Sequence, residues 1–157
     1  MKDMMINPFA KFDKDWALVT AGNIDDFNTM TVSWGSMGTI WNKSVVTIYV
    51  RPDRYTSNYL KDNDYFTVSF YDDKYKDKLL VFGRTSGKET NKVKETGFTP
   101  VCLDKAITYK EAKETFVLKK VYMEQMKKEL CPKEALAIYK DGIEPHYLII
   151  GEVVDIK

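Results

Sequence analysis

The sequence predicts a mainly β protein, an antiparallel barrel with a few short helices packed outside it. Of its 157 residues, 44% are hydrophobic and 13% aromatic, with ten Tyr and eight Phe, a composition that suits pleated, half-buried surfaces. Runs of β-branched and aromatic residues follow one another with only short helical stretches between them. The regular β-α-β alternation of a parallel sheet is missing. One domain over residues 1–157 is expected, since a chain of this length buries roughly 70% of its unfolded surface around one core.

Trp16–Ala21 reads as the first strand, Gly22-Asn23-Ile24-Asp25-Asp26 as a turn, and Thr29–Trp34 as the second strand of a hairpin. Gly35-Ser36-Met37-Gly38 breaks the pattern. Val45–Val50 is β-branched or aromatic at every position, as in a strand buried on both faces at the middle of a sheet. After Arg51-Pro52, Thr56 is expected to cap a helix through Lys61 that stops near Asn63. Tyr65–Tyr71 alternates, with Phe66, Val68 and Phe70 on one face and Tyr65, Thr67 and Ser69 on the other, and predicts a half-buried strand. Helices are expected over 74–82 and 89–95, the second stopping at Gly97 in a left-handed conformation with Pro100 just beyond. Thr115–Glu124 and Tyr147–Ile156 complete the strands, and a turn of helix is expected near Lys133–Tyr139 in the connection between them.

Charge excludes some classes of function. Lys and Arg (24) nearly balance Asp and Glu (23), so no long-range field draws nucleic acid or an anionic membrane. The pairs Lys119-Lys120 and Lys127-Lys128 read as a solvated face. Met1–Phe9 lacks the apolar run of a signal peptide, and no segment approaches the ~18 apolar residues of a membrane helix, so a cytoplasmic location is expected. Cys102 and Cys131 lie far apart and form no C-x-x-C pair, which predicts reduced structural thiols. With His146 the sole histidine, zinc and Ser-His-Asp arrangements lose most of their material. Any chemistry here is expected to come from a cofactor.

Two nucleotide motifs fail. Gly83-x-x-x-Gly87-Lys88 has its glycines one residue too close for a phosphate loop, and Glu89 stands where a magnesium-binding Ser or Thr belongs. No G-x-G-x-x-G follows a strand. The acidic pairs Asp25-Asp26 and Asp72-Asp73 read as turn formers rather than as a catalytic dyad.

Polar and cationic residues gather instead at three strand ends, in Asn28-Thr29-Met30-Thr31-Val32-Ser33-Trp34-Gly35, in Arg51-Pro52-Asp53-Arg54-Tyr55-Thr56, and in Thr85-Ser86-Gly87-Lys88 with Lys92 beyond. A helix starting near Thr56 would aim free N–H groups at an anion, and Arg51 and Arg54 would add charge there. Lys88 and Lys92 could close over the same group, with the Ser86 hydroxyl and an unobstructed Gly87 N–H beside them.

In order and spacing these stretches resemble the FMN-binding flavin-reductase-like family, whose members carry N-x-M-T-x-S-W, R-P-x-R-[YF]-T and S-G-[RK]-x-x-x-K segments. The resemblance runs from about Trp16 to Gly97 and resumes at Pro145-His146 and Gly151-Glu152-Val153. It implies a six-stranded Greek-key split barrel, FMN as cofactor, a homodimer, and NADH, NADPH or a redox protein as electron partner. By resemblance, Met30, Thr31, Val32, Ser33 and Trp34 with Tyr49 and Val50 line the flavin ring, their backbone groups bonding its pyrimidine edge; Arg51, Arg54, Thr56, Ser86, Gly87, Lys88 and Lys92 hold its phosphate and ribityl chain; and Asn28, Thr29 and Tyr55 also belong to the cofactor site. The polar side chains of Thr31 and Ser33 would serve that site or simply form a polar face, and Trp34 would contact flavin or join the core. His146 is either a substrate-side residue or a structural histidine. Phe116–Lys120 lacks the Glu-Cys pair that many members carry there, and Met123–Gly142 is unusually rich in Lys, Glu and bulky residues. The implied activity is an NAD(P)H-dependent flavin reductase; a flavoredoxin-like electron carrier and a non-catalytic flavin-binding module share the same cradle.

Overall fold

The computed structural model describes residues 4–157; the first residues of the Met1–Phe9 segment and of the expected 1–157 domain lie outside the described residues. After a short N-terminal helix, α1 (Pro8–Ala10), and a wide helical turn over Lys11–Asp15, the strands are β1 (Ala17–Gly22), β2 (Phe27–Val32), β3 (Gly35–Ile40), β4 (Lys43–Val50), β5 (Tyr65–Phe70), β6 (Pro100–Cys102), β7 (Ile107–Tyr109), β8 (Glu114–Gln125) and β9 (Tyr147–Ile156). The helices between them are α2 (Thr56–Asp62), α3 (Lys76–Arg84), α4 (Lys92–Thr96) and α5 (Lys133–Leu136).

Seven strands form one antiparallel sheet in the order β2-β1-β5-β8-β9-β4-β3, and β6 pairs with β7. Residues of β2 and β4, from opposite parts of this order, come within 8 Å of one another, so the sheet curls toward closure as a barrel. The expected β1–β2 hairpin pairs Ala17 with Val32 and Gly22 with Phe27. The expected six strands become seven because Gly35–Ile40, with its two glycines, is a strand and not a break. It pairs with β4 along its whole length, from Gly35 opposite Ile48 to Ile40 opposite Lys43. An edge strand supported by one neighbour needs little intrinsic strand preference, and its side chains are mostly exposed.

The barrel interior is apolar: Val19, Met30, Val32, Ile48, Val50, Phe66, Val68, Phe70, Leu118 and Ile149 form one buried cluster. A second cluster, with Leu18, Leu79, Phe82, Phe98 and Tyr109, lies outside the sheet under α3. This outer layer corrects the half-buried reading of β5, whose residues Phe66–Phe70 are all buried. The β6–β7 hairpin, which the sequence reading missed, covers the polar face: Thr67 donates to the Ile107 carbonyl at 2.6 Å, and the Ser69, Thr108 and Thr115 hydroxyls bond to one another at 2.8–3.0 Å. A polar strand face can be interior when every hydroxyl has a partner.

Helix ends also shift from expectation for local reasons. Thr56 is the first residue of α2 and not its cap; Tyr55 precedes it without a capping side chain. At the other end of α2 the Lys120 ammonium donates to the Leu60 and Lys61 carbonyls, meeting acceptors that a helix C-terminus leaves open. α3 follows a 3-10 turn over Asp73–Tyr75 and starts at Lys76. α4 starts at Lys92 and not Glu89, because the Asn91 side chain accepts from the Lys94 N–H as its cap; Gly97 ends it at φ 74°. The cysteines are free thiols, but Cys102 is exposed and Cys131 half-buried, so neither is a packed core residue. No helix among the described residues is long and apolar enough to cross a membrane.

Candidate functional site

The three polar stretches converge because the hairpin β1–β2, the turn after β4 and the loop after α3 lie side by side. They enclose a small pocket of about 230 Å³ whose wall includes Asn28, Arg51, Arg54, Thr56, Gly87 and Lys92. Asn28 Nδ2 donates to Thr56 Oγ1 at 2.8 Å, joining β2 to the first turn of α2. An ideal Cβ on Gly87 would stand 2.1 Å from Asn28 Oδ1, so glycine is required for the loop to approach this closely.

The cations are held before any ligand arrives. Arg54 Nη2 donates to the Gly83 carbonyl at 2.9 Å, and Arg51 forms a two-pronged pair with Asp53 at 2.9 and 2.8 Å. Lys92 is buried, and its ammonium donates to the Thr29 carbonyl at 2.8 Å and the Phe82 carbonyl at 3.0 Å. Burial, with repulsion from Arg54 as the smaller cause, lowers the Lys92 pKa to about 8. Burial first and the Arg51 charge second also lower Arg54, partly offset by Asp53, yet a guanidinium stays charged at neutral pH. Such a pocket stabilises an oxyanion. Among the described residues no group of His, Cys, Asp and Glu is arranged to hold a metal.

A second compartment of about 330 Å³ continues from this pocket past Arg51 and Arg54. Met30, Val32, Ser33, Trp34, Tyr49 and His146 are among its lining. His146 is buried beside the Trp34 ring, with centroids 4.9 Å apart, and its Nδ1 lies 2.9 Å from the Tyr139 hydroxyl. Burial, then the nearby Arg51, lowers the His146 pKa, with Asp53 partly opposing; the ring is neutral at pH 7. The compartment is a slot with aromatic and apolar walls and a few polar groups, suited to a flat conjugated ring.

Not every expected residue points into the cleft. The Thr29 hydroxyl faces the outer layer, bonded to Thr20 and Tyr109 at 3.0 and 2.8 Å, and the Thr31 hydroxyl donates to the Leu79 carbonyl. Period-two alternation put Thr31 and Ser33 on one face, but the two part company: the Thr31 hydroxyl turns to α3, while Ser33, beyond the end of β2, lines the slot. Val50 is fully buried in the barrel core, while its neighbour Tyr49 lines the slot. Trp34 is 45% exposed and is not a core residue. Lys88 is absent from the wall of the anion pocket and lines the adjoining cavity, its ammonium 5.3 Å from the Tyr55 ring centre. Ser86 Oγ accepts from the Lys88 N–H at 3.2 Å, within the pocket wall. The sequence reading missed Gly83 and Arg84 in the anion pocket and Ile138 at the slot. Gly83-Arg84 directly precedes the stretch Thr85-Ser86-Gly87-Lys88, and that adjacency was the available signal.

A curled antiparallel sheet with a cationic pocket opening into an aromatic slot defines a split-barrel protein of the flavin-reductase type. A family model described as "Flavin reductase like domain" matches residues 9–157, and the chain belongs to that family. Solved structures give the same fold. The flavoredoxin of Methanosarcina acetivorans aligns with TM-score 0.72 and 18% identity over 100% of this chain and 75% of its own. The flavoredoxin of Desulfovibrio vulgaris (Miyazaki F) aligns with TM-score 0.72 and 21% identity over 100% and 76%, and an FMN-binding protein from Thermus thermophilus with 0.72 and 18% over 100% and 79%. A search of curated proteins by sequence finds no significant match.

Proposed function

We propose that this chain, as one domain, binds FMN and is an oxidoreductase, an NAD(P)H-dependent flavin reductase. The observation that carries this is the joining of a pocket walled by Arg51, Arg54 and Lys92 to a slot walled by Met30, Trp34 and Tyr49, in a chain of the flavin-reductase-like family. The donor set fits a flavin phosphate: two guanidiniums and an ammonium, a backbone brought close at Gly87, and the Ser86 hydroxyl. When bound, FMN supplies a centre that accepts and passes on two electrons. The residues of the chain do the rest. Arg51, Arg54 and Lys92 orient the phosphate, the backbone from Met30 to Trp34 borders the slot, and His146, neutral and aligned by Tyr139, stands where a substrate would enter.

Trp34 (45% exposed) and Phe9 (86%) flank the slot mouth, with Met126 (38%) nearby, and such a surface suits either a second copy of the chain or a redox protein. We assign it to a homodimer. The same surface gives the carrier reading its support. Both are tested on the purified protein mixed with FMN and titrated anaerobically with NADH and NADPH. Retained yellow flavin that bleaches on nicotinamide addition is the expected result. Retained flavin that does not bleach moves the function to a carrier or a binding module, and failure to retain flavin overturns the proposal.

A further inference from the structure

His146 lies where two spaces meet. With Ser33, Trp34 and Tyr49 it lines both the ring slot and a larger, mainly apolar compartment of about 750 Å³ that also carries Phe12 and Met37. The histidine is held from both sides. Its carbonyl accepts from the Met126 N–H at 2.9 Å, and the Pro145 carbonyl before it accepts from Gln125 Nε2 at 3.1 Å, so the backbone is tied to the end of β8. The imidazole packs on the Trp34 ring, and its Nδ1 meets the hydroxyl of Tyr139, a residue that follows α5 in the connection between β8 and β9. Nε2 has no partner among the described residues and is not sealed off, since the fully buried side-chain atoms without a partner there are Tyr71 Oη and Glu114 Oε2.

The Tyr139 hydroxyl decides which imidazole nitrogen carries the proton. Tyr139 is buried, and among the described residues its hydroxyl has no acceptor other than Nδ1. A protonated Nδ1 would take the phenol oxygen as its acceptor and leave the phenol proton without one, a cost that the opposite arrangement avoids. The phenol therefore donates to Nδ1, which makes the neutral ring the Nε2–H tautomer. We infer that Tyr139 is a positioning residue: it holds His146 with Nε2–H at the junction of slot and compartment, where that N–H donates to a carbonyl oxygen on the flat ring of a substrate. In the reductase reading above, on which this last step rests, the oxygen is that of the nicotinamide carboxamide. A neutral donor suits a neutral acceptor, and no cation lines the apolar compartment among the described residues. The bond orients the ring and transfers no proton.

The test uses the untagged full chain, in which His146 is the sole histidine, so isotope-labelled histidine reports a single imidazole. Long-range proton–nitrogen NMR correlation at neutral pH is expected to show Nε2 protonated and Nδ1 bare. In Tyr139→Phe the Nδ1–H form is expected to appear beside it, while the FMN Kd stays within about twofold. With FMN-loaded protein and NADH, Tyr139→Phe is expected to lower kcat/KM about tenfold, the scale of one lost hydrogen bond. His146→Leu is expected to lose at least as much. His146→Gln, which keeps a side-chain N–H donor, is expected to lose less and to make a further Tyr139→Phe change silent. A protonated Nδ1 in the unmodified chain, or a tautomer that Tyr139→Phe leaves unchanged, overturns the positioning role. His146→Leu as active as the unmodified chain overturns the donor role. Absence of NADH oxidation by the FMN-loaded chain overturns the reductase reading instead, and the NMR spectra then decide the role of Tyr139 by themselves.

Discussion

The two ends of the cleft are built by opposite means. At the anion end the charges are tied to the backbone: Lys92 to the Thr29 and Phe82 carbonyls, Arg54 to Gly83, and Asn28 to Thr56. At the ring end the Tyr139–His146 contact holds the histidine, and the half-exposed Trp34 leans on that histidine. The first end is preorganised, so little ordering remains to be done when an anion binds. The second is a slot of aromatic, apolar and a few polar groups bordered by surface residues. Fixed geometry is concentrated where charge must be placed.

Substitutions can break this contrast. The largest effect is expected for Lys92→Met, which removes two charge-assisted bonds from buried carbonyls. Stability should fall by about 2–4 kcal/mol, read as a lower denaturant midpoint, and FMN retention should be lost with it. Gly87→Ala sets a methyl group against Asn28 Oδ1 and should weaken FMN binding by about 1–3 kcal/mol; calorimetric titration gives the value. Arg54→Ala should also weaken FMN by about 1–3 kcal/mol with the thermal midpoint nearly unchanged, since the side chain serves the pocket and not the core. Unchanged FMN affinity would remove Arg54 from the phosphate site.

The pH dependence sharpens the same contrast. Lys92 has its pKa lowered from 10.5 to about 8 in the folded chain, so between about 8 and 10.5 the unfolded chain binds more protons. The cost of burying the ammonium is fully present below about 8, and stability of the ligand-free protein gains from this group as pH rises from there toward 10.5. The phosphate prefers the charged amine, so FMN affinity should fall over the same range while riboflavin affinity stays flat. Parallel FMN and riboflavin curves would show that Lys92 does not face the phosphate. The smallest effect is expected at the ring end. Tyr139→Phe should cost about 0.5–1.5 kcal/mol of stability and leave FMN affinity nearly unchanged, a pair of values that chemical denaturation and titration would give together.

Much of this architecture was legible in the sequence because strand runs and strand-end polar clusters are local features. Tyr147–Ile156 matched its strand residue for residue, and Asn28, Arg51, Arg54, Ser86, Gly87 and Lys92 do share one pocket. Most of what failed depended on a distant element. Alternation in Asn28–Trp34 identifies two faces but not which one α3 covers, so the Thr31 side chain is expected at the site, whereas Thr31 borders the slot with its hydroxyl turned to Leu79. β5 is buried on its polar side by β6–β7, some thirty residues further along the chain, whereas Gly35–Ile40 is held as a strand by its hairpin neighbour β4 across Trp41-Asn42, a short turn that its two glycines conceal. Lys88 sits in the motif next to Gly87, yet a one-residue step at a loop moves an ammonium from one cavity to the next.

The Arg51–Asp53 pair has a further consequence for how this site behaves in salt. Asp53 sits in the anion pocket as a built-in counter-ion, so in the ligand-free protein Arg51 need not borrow chloride or phosphate from solution. A phosphate that engages Arg51 exchanges with an internal carboxylate rather than with a bulk ion. Ionic strength screens the exposed partners, Asp53 most of all, and it therefore loosens the competitor along with the attraction. Cofactor retention in this protein is thereby buffered against changes in salt, more than three cations around one pocket would otherwise allow.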